Sequence, residues 1–541
     1  MKNTLTKPWF LRVVMACVLV VIILIGLLPV MPLRVPPASA PQSEFSAARA
    51  MQDLQVVAAE PHSAGSPAQA KVLDYILAQL QATGANAEVQ QDNGANNIIV
   101  TFPGMESSGT VLITGHSDAH PGAPGAGDDG VSVVAMLEAI RVLQTEQQLR
   151  NDLVFLFSDG EESGGLGSTA FLTLPLADMI NVVLAFDAWP GHGPATFQQA
   201  SEGDEWLIRN LARVSPPVYA MSYGVNKERA SFDSDFDALS AYGLVGMEFE
   251  NNGTGTRYHT PNDTVDGVDP SLVQSQGETM HMLARHFGSI DLTTAYQGDD
   301  YSFFTWPIIG IVAIPYWVNL LVSGIAILGI LVVIFLGWLR ERRIKPLPTL
   351  VSALAFAILF YGLVMISDAL WTEVIKAHPE TAGLEFPDFA GSGWAILGFM
   401  LVAWVIFTIL MSLLSRYTGV PSMAGGSIIA WLAFSFYLFS PAAFNFGNPL
   451  EIEFTAWSLL GGAGGLAVVT FVRNPGRKIL LLALSAIPVI FMFAPLFVLS
   501  MLKPEDGAMA SVLLLIFATG LLLPQVLYVV GNKEISVPSD P

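Results

Sequence analysis

The sequence predicts two structural classes in one chain: an α/β domain whose mixed, largely parallel sheet carries helices on both faces, and an α-helical transmembrane bundle. Three observations lead there. The 541 residues are 52% hydrophobic and 13% charged, too apolar for an average soluble protein and too charged for a pure membrane bundle. Through the first half, short β-type runs alternate with helical patterns, the order that builds a parallel sheet with helical cover. Through the second half, apolar runs recur near the roughly 20 residues that cross a bilayer.

Charge and cysteine usage narrow the classes further. The formal net charge is −21, and residues 41–300 hold about 34 acids against about 10 bases. So acidic a domain argues against nucleic acid as a partner. It suits a domain that holds divalent cations, although an acidic surface is more often only a solvated one. The single cysteine, Cys17, lies in the first apolar run. No disulfide can form within the chain and thiolate metal sites are excluded, so any zinc must be held by His, Asp and Glu.

In chain order, residues 1–40 read as a cytoplasmic stub and a transmembrane anchor. Trp9 to Met31 is apolar apart from Arg12. Ala38-Ser39-Ala40 resembles a leader cleavage site, but the apolar core is long for a leader and the site lies well past its end, so the run reads as uncleaved. Residues 41–300 read as the α/β domain. Helical spacing occurs over Phe45–Val57, Ala68–Ala82, Val131–Leu143, Ser168–Leu174, Glu205–Val214 and Pro270–Phe287. The β-type runs are Asn97–Phe102, Thr110–Thr114, Leu153–Phe157, Val182–Phe186 and Leu244–Phe249. In such sheets ligands gather beyond the carboxyl ends of the strands.

Residues 301–541 read as seven spans, at about 317–339, 348–370, 393–414, 424–443, 454–472, 479–501 and 509–530. Arg340, Arg342, Arg343, Lys345, Arg416, Arg473, Arg477 and Lys478 fall in loops on one side; the opposite loops hold only Lys376 and Lys503. The positive-inside rule makes the basic side cytoplasmic. Lys2, Lys7 and Arg12 place the N-terminus there too. Both termini are then expected inside and residues 41–300 outside. The spans are nearly free of charge, Asp368 being the clearest exception, so they read as an anchor rather than a transport path. Gly461 and Gly465 suit close helix packing.

The chemistry concentrates between Gly115 and Glu162. His116 follows the run Thr110–Thr114, and neutral imidazole is the commonest metal ligand. Asp118, two residues on, can orient that ring. Asp128 sits in Gly125-Ala126-Gly127-Asp128-Asp129-Gly130 at a helix start; alone it reads equally well as a capping acid or as a carboxylate bridging two cations. Glu161-Glu162 follows Leu153–Phe157, and adjacent carboxylates at a strand end are costly without positive charge nearby. One could bind metal while the other takes a proton from water. Asp187 closes Val182–Phe186, and His259 lies in Tyr258-His259-Thr260-Pro261-Asn262-Asp263-Thr264. Each has a bland explanation alone; together, His116, Asp128, Glu162, Asp187 and His259 follow separate strand-like runs in a chain with 8 histidines.

These segments, with Pro61-His62-Ser63-Ala64-Gly65-Ser66, resemble the co-catalytic di-zinc aminopeptidase family that includes aminopeptidase Y and glutamate carboxypeptidase. The layout is similar to its membrane-bound forms, the endoplasmic-reticulum and vacuolar membrane metallopeptidases. The resemblance covers about 45–290 and implies a zinc-peptidase, phosphorylase/hydrolase-like fold and two zinc ions per chain. It implies that His116 and Asp187 hold one zinc, Glu162 and His259 the other, and that Asp128 bridges them. Asp118 would orient His116, Glu161 would be general base and then acid, and Tyr258 could hydrogen-bond the oxyanion. Where Asp187 stands, membrane relatives often have Glu. Ser234-Asp235-x-Asp237 resembles a family stretch near the pocket but receives no catalytic role, and His120 and His192 read as non-ligands. The implied activity is that of an exopeptidase, an aminopeptidase first, acting on peptides outside the cytoplasm. The rivals are a glutaminyl cyclase-like enzyme and a non-catalytic receptor or transport protein with a peptidase-like ectodomain.

Overall fold

The structure is a computed structural model and describes residues 8–222, 234–251, 253, 257–295, 298–377, 392–438, 453–501 and 507–531. Lys2, Lys7 and Lys503 lie outside the described residues. The chain divides into two compact units, one of Pro29–Thr305 with Gly310–Ala313, the other of Met1–Leu28, Trp306–Ile309 and Ile314–Pro541.

The first unit begins with a strap and two helices, α2 (Ala47–Val57) and α3 (Pro67–Thr83); α1 (Pro8–Gly26) belongs to the other unit. The strap explains why the unit starts at 29 rather than 41. Ser46 Oγ donates toward the carbonyls of Pro36 and Pro37, and Arg49 Nη1 donates to those of Ala38 and Ala40 at 3.1 and 2.9 Å. Arg49 is itself anchored by Glu138, at 2.8 Å. Ser46 caps α2 through Arg49 N, and Ser66 caps α3 through Gln69 N with Pro67 in the first turn. Caps of this kind satisfy amides that the helix leaves unpaired.

Strands β1 (Ala87–Asp92), β2 (Ala95–Phe102), β3 (Thr110–His116), β4 (Asp152–Ser158), β5 (Ile180–Phe186), β6 (Ala195–Ala200) and β7 (Gly246–Asn251) form one sheet in the order β1-β2-β4-β3-β5-β7-β6. The centre, β4-β3-β5-β7, is parallel; β1, β2 and β6 run antiparallel to their neighbours. Between the strands lie α4 (Gly130–Leu143), α5 (Leu166–Phe171), α6 (Glu205–Val214) and α7 (Asp235–Tyr242), and α8 (Pro270–Phe287) follows β7. The central strands are buried on both sides, as parallel strands are. Val111, Ile113, Phe155 and Phe157 face a large core shared with α2, α4 and α8. Leu112, Val154 and Leu156 face a smaller one with Phe171, Phe236 and Leu239. Each fully buried aliphatic or Phe side chain contributes about 1.5–3 kcal/mol.

Strands β1 and β6, helix α7 and the two-stranded sheet of β8 (Tyr301–Trp306) and β9 (Gly310–Pro315) add to the sequence reading. Because β8 begins at Tyr301, most of this pair falls in the first unit, and the boundary at 300 moves to 305.

The second unit contains α1, α9 (Tyr316–Leu339), α10 (Pro346–Ala377), α11 (Ser392–Thr418), α12 (Val420–Leu438), α13 (Glu453–Phe471), α14 (Pro475–Met501), α15 (Gly507–Leu521) and α16 (Leu523–Val530). Seven of these are long and apolar enough to span a bilayer. The run expected as one span at 509–530 is instead two helices bent by 84°. Pro524 stands in the first turn of α16, where a ring without an N–H interrupts the ladder from α15. Eight residues rise only about 12 Å, so α16 cannot cross alone. Gly461 lies where a Cβ would stand 2.6 Å from the Ser485 carbonyl of α14; only glycine permits that approach. Glu453, 1% exposed in the first turn of α13, is a buried acid that the sequence reading passed over. The chain is a multi-pass membrane protein.

Candidate metal centre

The parallel strands deliver the candidate residues to one rim. His116 is the last residue of β3 and is paired in register with Ser158, the last of β4. The chain after β4 turns at Gly160, whose φ is +79°, and enters a short helical turn that carries Glu161 and Glu162. Asp187 follows β5 directly. The loop after β7 brings His259, itself at a φ of +58°.

Asp128 lies between the two imidazoles. Its Oδ1 is 3.1 Å from His116 Nε2 and its Oδ2 is 3.2 Å from His259 Nε2. Glu162 Oε1 is 3.1 Å from His259 Nε2, Asp187 Oδ1 is 3.8 Å from His116 Nε2, and Glu161 Oε2 is 4.0 Å from it. Two groups of potential donor atoms lie within 4.8 Å of one another: His116 with Asp129 and Asp187, and His120 with Glu162 and His259. Asp128 thus faces both groups.

The supports are specific. His116 Nδ1 is 2.9 Å from the carbonyl oxygen of Asp118 and 3.5 Å from its Oδ1. The Asp118 carboxylate mainly accepts from the amides of Gly160, at 2.8 Å, and Glu161, at 3.1 Å, so it ties the Glu161 turn to β3. Asp129 Oδ2 accepts from the amide of His116. Asp263, fully buried, accepts from the amides of Gly127 at 2.7 Å and Asp128 at 3.1 Å. Gly127 packs so closely that a Cβ would stand 2.3 Å from Pro190 N. The peptide bond between Asp128 and Asp129 is cis. Gln276 Nε2 donates to the Asp187 carbonyl at 2.6 Å. Asp235 is buried behind β4, accepting from the hydroxyls of Ser158 and Ser168. Tyr258 stacks on Trp189, ring centres 4.2 Å apart.

Residues 97–284 match a family model described as peptidase family M28. Residues 97–284 thus carry a peptidase family M28 region. Among curated relatives, this chain is 27% identical over 263 residues to a vacuolar membrane protease of Candida tropicalis, covering 44% of this chain and 28% of that one. It is 26% identical over 255 residues to endoplasmic reticulum metallopeptidase 1 of Homo sapiens, covering 46% and 28%. The matched region therefore spans under a third of those relatives. Similar solved structures include an aminopeptidase from Aneurinibacillus sp. strain AM-1, 15% identical with a TM-score of 0.40 over 45% of this chain and 95% of that one. A Porphyromonas gingivalis glutaminyl cyclase is 22% identical, with a TM-score of 0.37 over 44% and 98%.

The electrostatics of the M28 domain show what its rim lacks. Among the described residues no lysine or arginine pairs with Asp118, Asp128, Asp129, Glu161, Glu162 or Asp187. Burial pushes the Glu161 carboxyl up to about 9, with His116 opposing and Asp187 adding. Burial, then the charge of Asp128, pushes Glu162 up to about 10 and Asp187 up to about 7. Burial and Asp187 likewise raise Asp129 well above the usual range. Asp128 goes the other way: burial would raise it, but the hydrogen bonds with His116, His259 and Glu162 and the charge of His116 together outweigh burial and hold it low. Burial would depress His116, but Asp118, Asp128, Glu161 and Asp129 together outweigh it and hold the imidazole well above the ordinary value. Burial, then Asp128, raises Tyr258 and keeps its phenol protonated. The cluster is short of positive charge, which divalent cations supply.

The donor set fits them. Asp128 Oδ2 and Glu162 Oε1 are buried and accept no hydrogen bond, although His259 Nε2 lies within 3.2 Å of both. Three lone-pair atoms face one another without satisfying one another, as ligands around a shared cation do.

Sequence reasoning passed over Asp263, Asp129 and Gln276. Asp263 carried a readable signal, since an acid four residues past His259 sits in the same turn; Gln276 carried none, because its partner is a backbone carbonyl.

Proposed function

We propose that this chain is a membrane-anchored, zinc-dependent exopeptidase, an aminopeptidase, that hydrolyses peptides on the non-cytoplasmic side. The observation that carries the reading is the pair of unpartnered carboxylate oxygens on Asp128 and Glu162 facing His259, with Glu161 beside the same rim. The match of residues 97–284 to peptidase family M28 supports it.

In this reading His116 and Asp187 hold one zinc, Glu162 and His259 hold a second, and Asp128 holds both. Bound there, zinc supplies Lewis-acid polarisation of a carbonyl and lowers the pKa of adjacent water. Glu161 accepts the proton of the attacking water and returns it to the leaving amine. Asp118 fixes where Glu161 stands through the two amides it accepts. Tyr258, kept protonated, donates a hydrogen bond to the carbonyl oxygen as charge develops there. The membrane helices anchor the domain, and their basic loops set it outside the cytoplasm.

The test is a peptide-library digest by the zinc-loaded full chain in detergent, read by mass spectrometry alongside metal content. Loss of single N-terminal residues, abolished by a chelator, with two zinc ions per chain, is expected. Trimming from the C-terminus would replace the aminopeptidase assignment, and cyclisation of N-terminal Gln without hydrolysis would replace the peptidase. Protease treatment of sealed, right-side-out vesicles checks the sidedness, since an outward M28 domain is digested while the termini survive.

A further inference from the structure

His116 and His259 both present Nε2 to Asp128, yet they are held in different ways. A metal-binding imidazole ordinarily has its second nitrogen fixed by a carboxylate or carbonyl. His116 has that, with Nδ1 2.9 Å from the Asp118 carbonyl. Among the described residues, nothing hydrogen-bonds Nδ1 of His259. Its side chain is 33% exposed against 2% for His116, and its backbone is left-handed, which costs a non-glycine residue stability. By the ordinary rules this ligand should be poorly oriented.

What constrains it is a sandwich. The Tyr258 ring lies 3.7 Å from that of His259 at 21°, and the His120 ring lies 4.2 Å away at 13°. Trp189 backs Tyr258 at 4.2 Å and 8°. Four rings from three separate loops thus form one column, with His259 inside it and His120 closing one end. Such offset or parallel contacts hold a ring in its plane.

We propose that His120 is a positioning residue, which holds His259 in the plane that the zinc it would share with Glu162 requires, by stacking on it and without ligating the metal itself. The proposal rests on the two-zinc reading above. The alternative, that His120 is a ligand, has one point in its favour: a nitrogen of His120 lies within 4.8 Å of the donor atoms of Glu162 and His259. Ring geometry decides against it. An imidazole lone pair lies in the ring plane, and two planes 13° from parallel with centres 4.2 Å apart cannot both contain one cation at the 2.0–2.1 Å typical of zinc–nitrogen bonds. What His120 turns to His259 is its ring face. A phenyl ring can replace a face; it cannot replace a nitrogen.

The experiment is a zinc titration of the full chain in detergent against a competing chelator, for the natural protein and for His120→Phe and His120→Leu. The natural protein takes up two zinc ions. His120→Phe matches it, and His120→Leu, which keeps bulk but no flat face, weakens one of the two zinc ions by about 10–100-fold and spares the other. If His120→Phe is as weak as a leucine variant, the nitrogen is a ligand and the positioning role is overturned; the phenyl variant alone decides this should the leucine variant not fold. If His120→Leu binds both ions like the natural protein, stacking contributes nothing and the proposal also falls. A natural protein that takes up no second zinc overturns the two-zinc reading itself, an outcome visible before any variant is compared.

Discussion

In the proposed function Glu161 has one task, moving a proton, while its neighbours would hold metal. Glu161→Gln is therefore expected to keep both zinc ions and lose about 10²–10⁴-fold in turnover, measured as kcat alongside metal content; near-normal kcat would refute the assignment. Asp263 makes the converse prediction. It touches no ring nitrogen, but it holds the amides on either side of the Gly127–Asp128 bond. Asp263→Ala should weaken zinc by about 10–100-fold, and Asp263→Asn, which keeps one acceptor, should fall between. Equal affinity in all three would show that the loop holds its shape unaided.

At the scale of elements, α8 supplies a pH dependence. His281 lies 3.1 Å from Glu146 and His286 lies 2.9 Å from Asn210. Burial lowers both imidazoles below their ordinary 6.5, partly offset at His281 by Glu146 and reinforced at His286 by Arg213. The folded state then binds fewer protons than the unfolded chain, so stability is present above pH 6.5 and is lost as pH falls below it. His286→Gln should flatten the change in melting temperature between pH 7.5 and 5.5; an unaltered slope would remove His286 from the account. The elements also show what could be read beforehand. The central strands were legible because burial on both faces demands unbroken apolar runs such as Leu153–Phe157. Strand β1, Ala-Glu-Val-Gln-Gln-Asp, is an edge strand with one exposed valine, and its polarity hides it. Helix α7 has eight residues, too few to show a period. The rim was legible because parallel strands deliver their carboxyl ends together. His120 was not, since its partner is set by loop conformation rather than by spacing.

For the whole molecule, the prediction concerns two melting events. A ligand that binds only the folded state adds about 4 kcal/mol at a thousand times its Kd. Zinc should therefore raise the transition of the M28 domain, and a chelator should lower it, while the membrane helices, which hold none of these ligands, keep theirs. Calorimetry in detergent checks this; a shift of both transitions would mean the units melt as one. Finally, the arginine at position 49 grips the main chain at Ala38 and Ala40. A peptidase that clipped after Ala40 would carry those two acceptors away, so the cut domain, still tethered through α9, would be left with a frayed α2 and a shorter life.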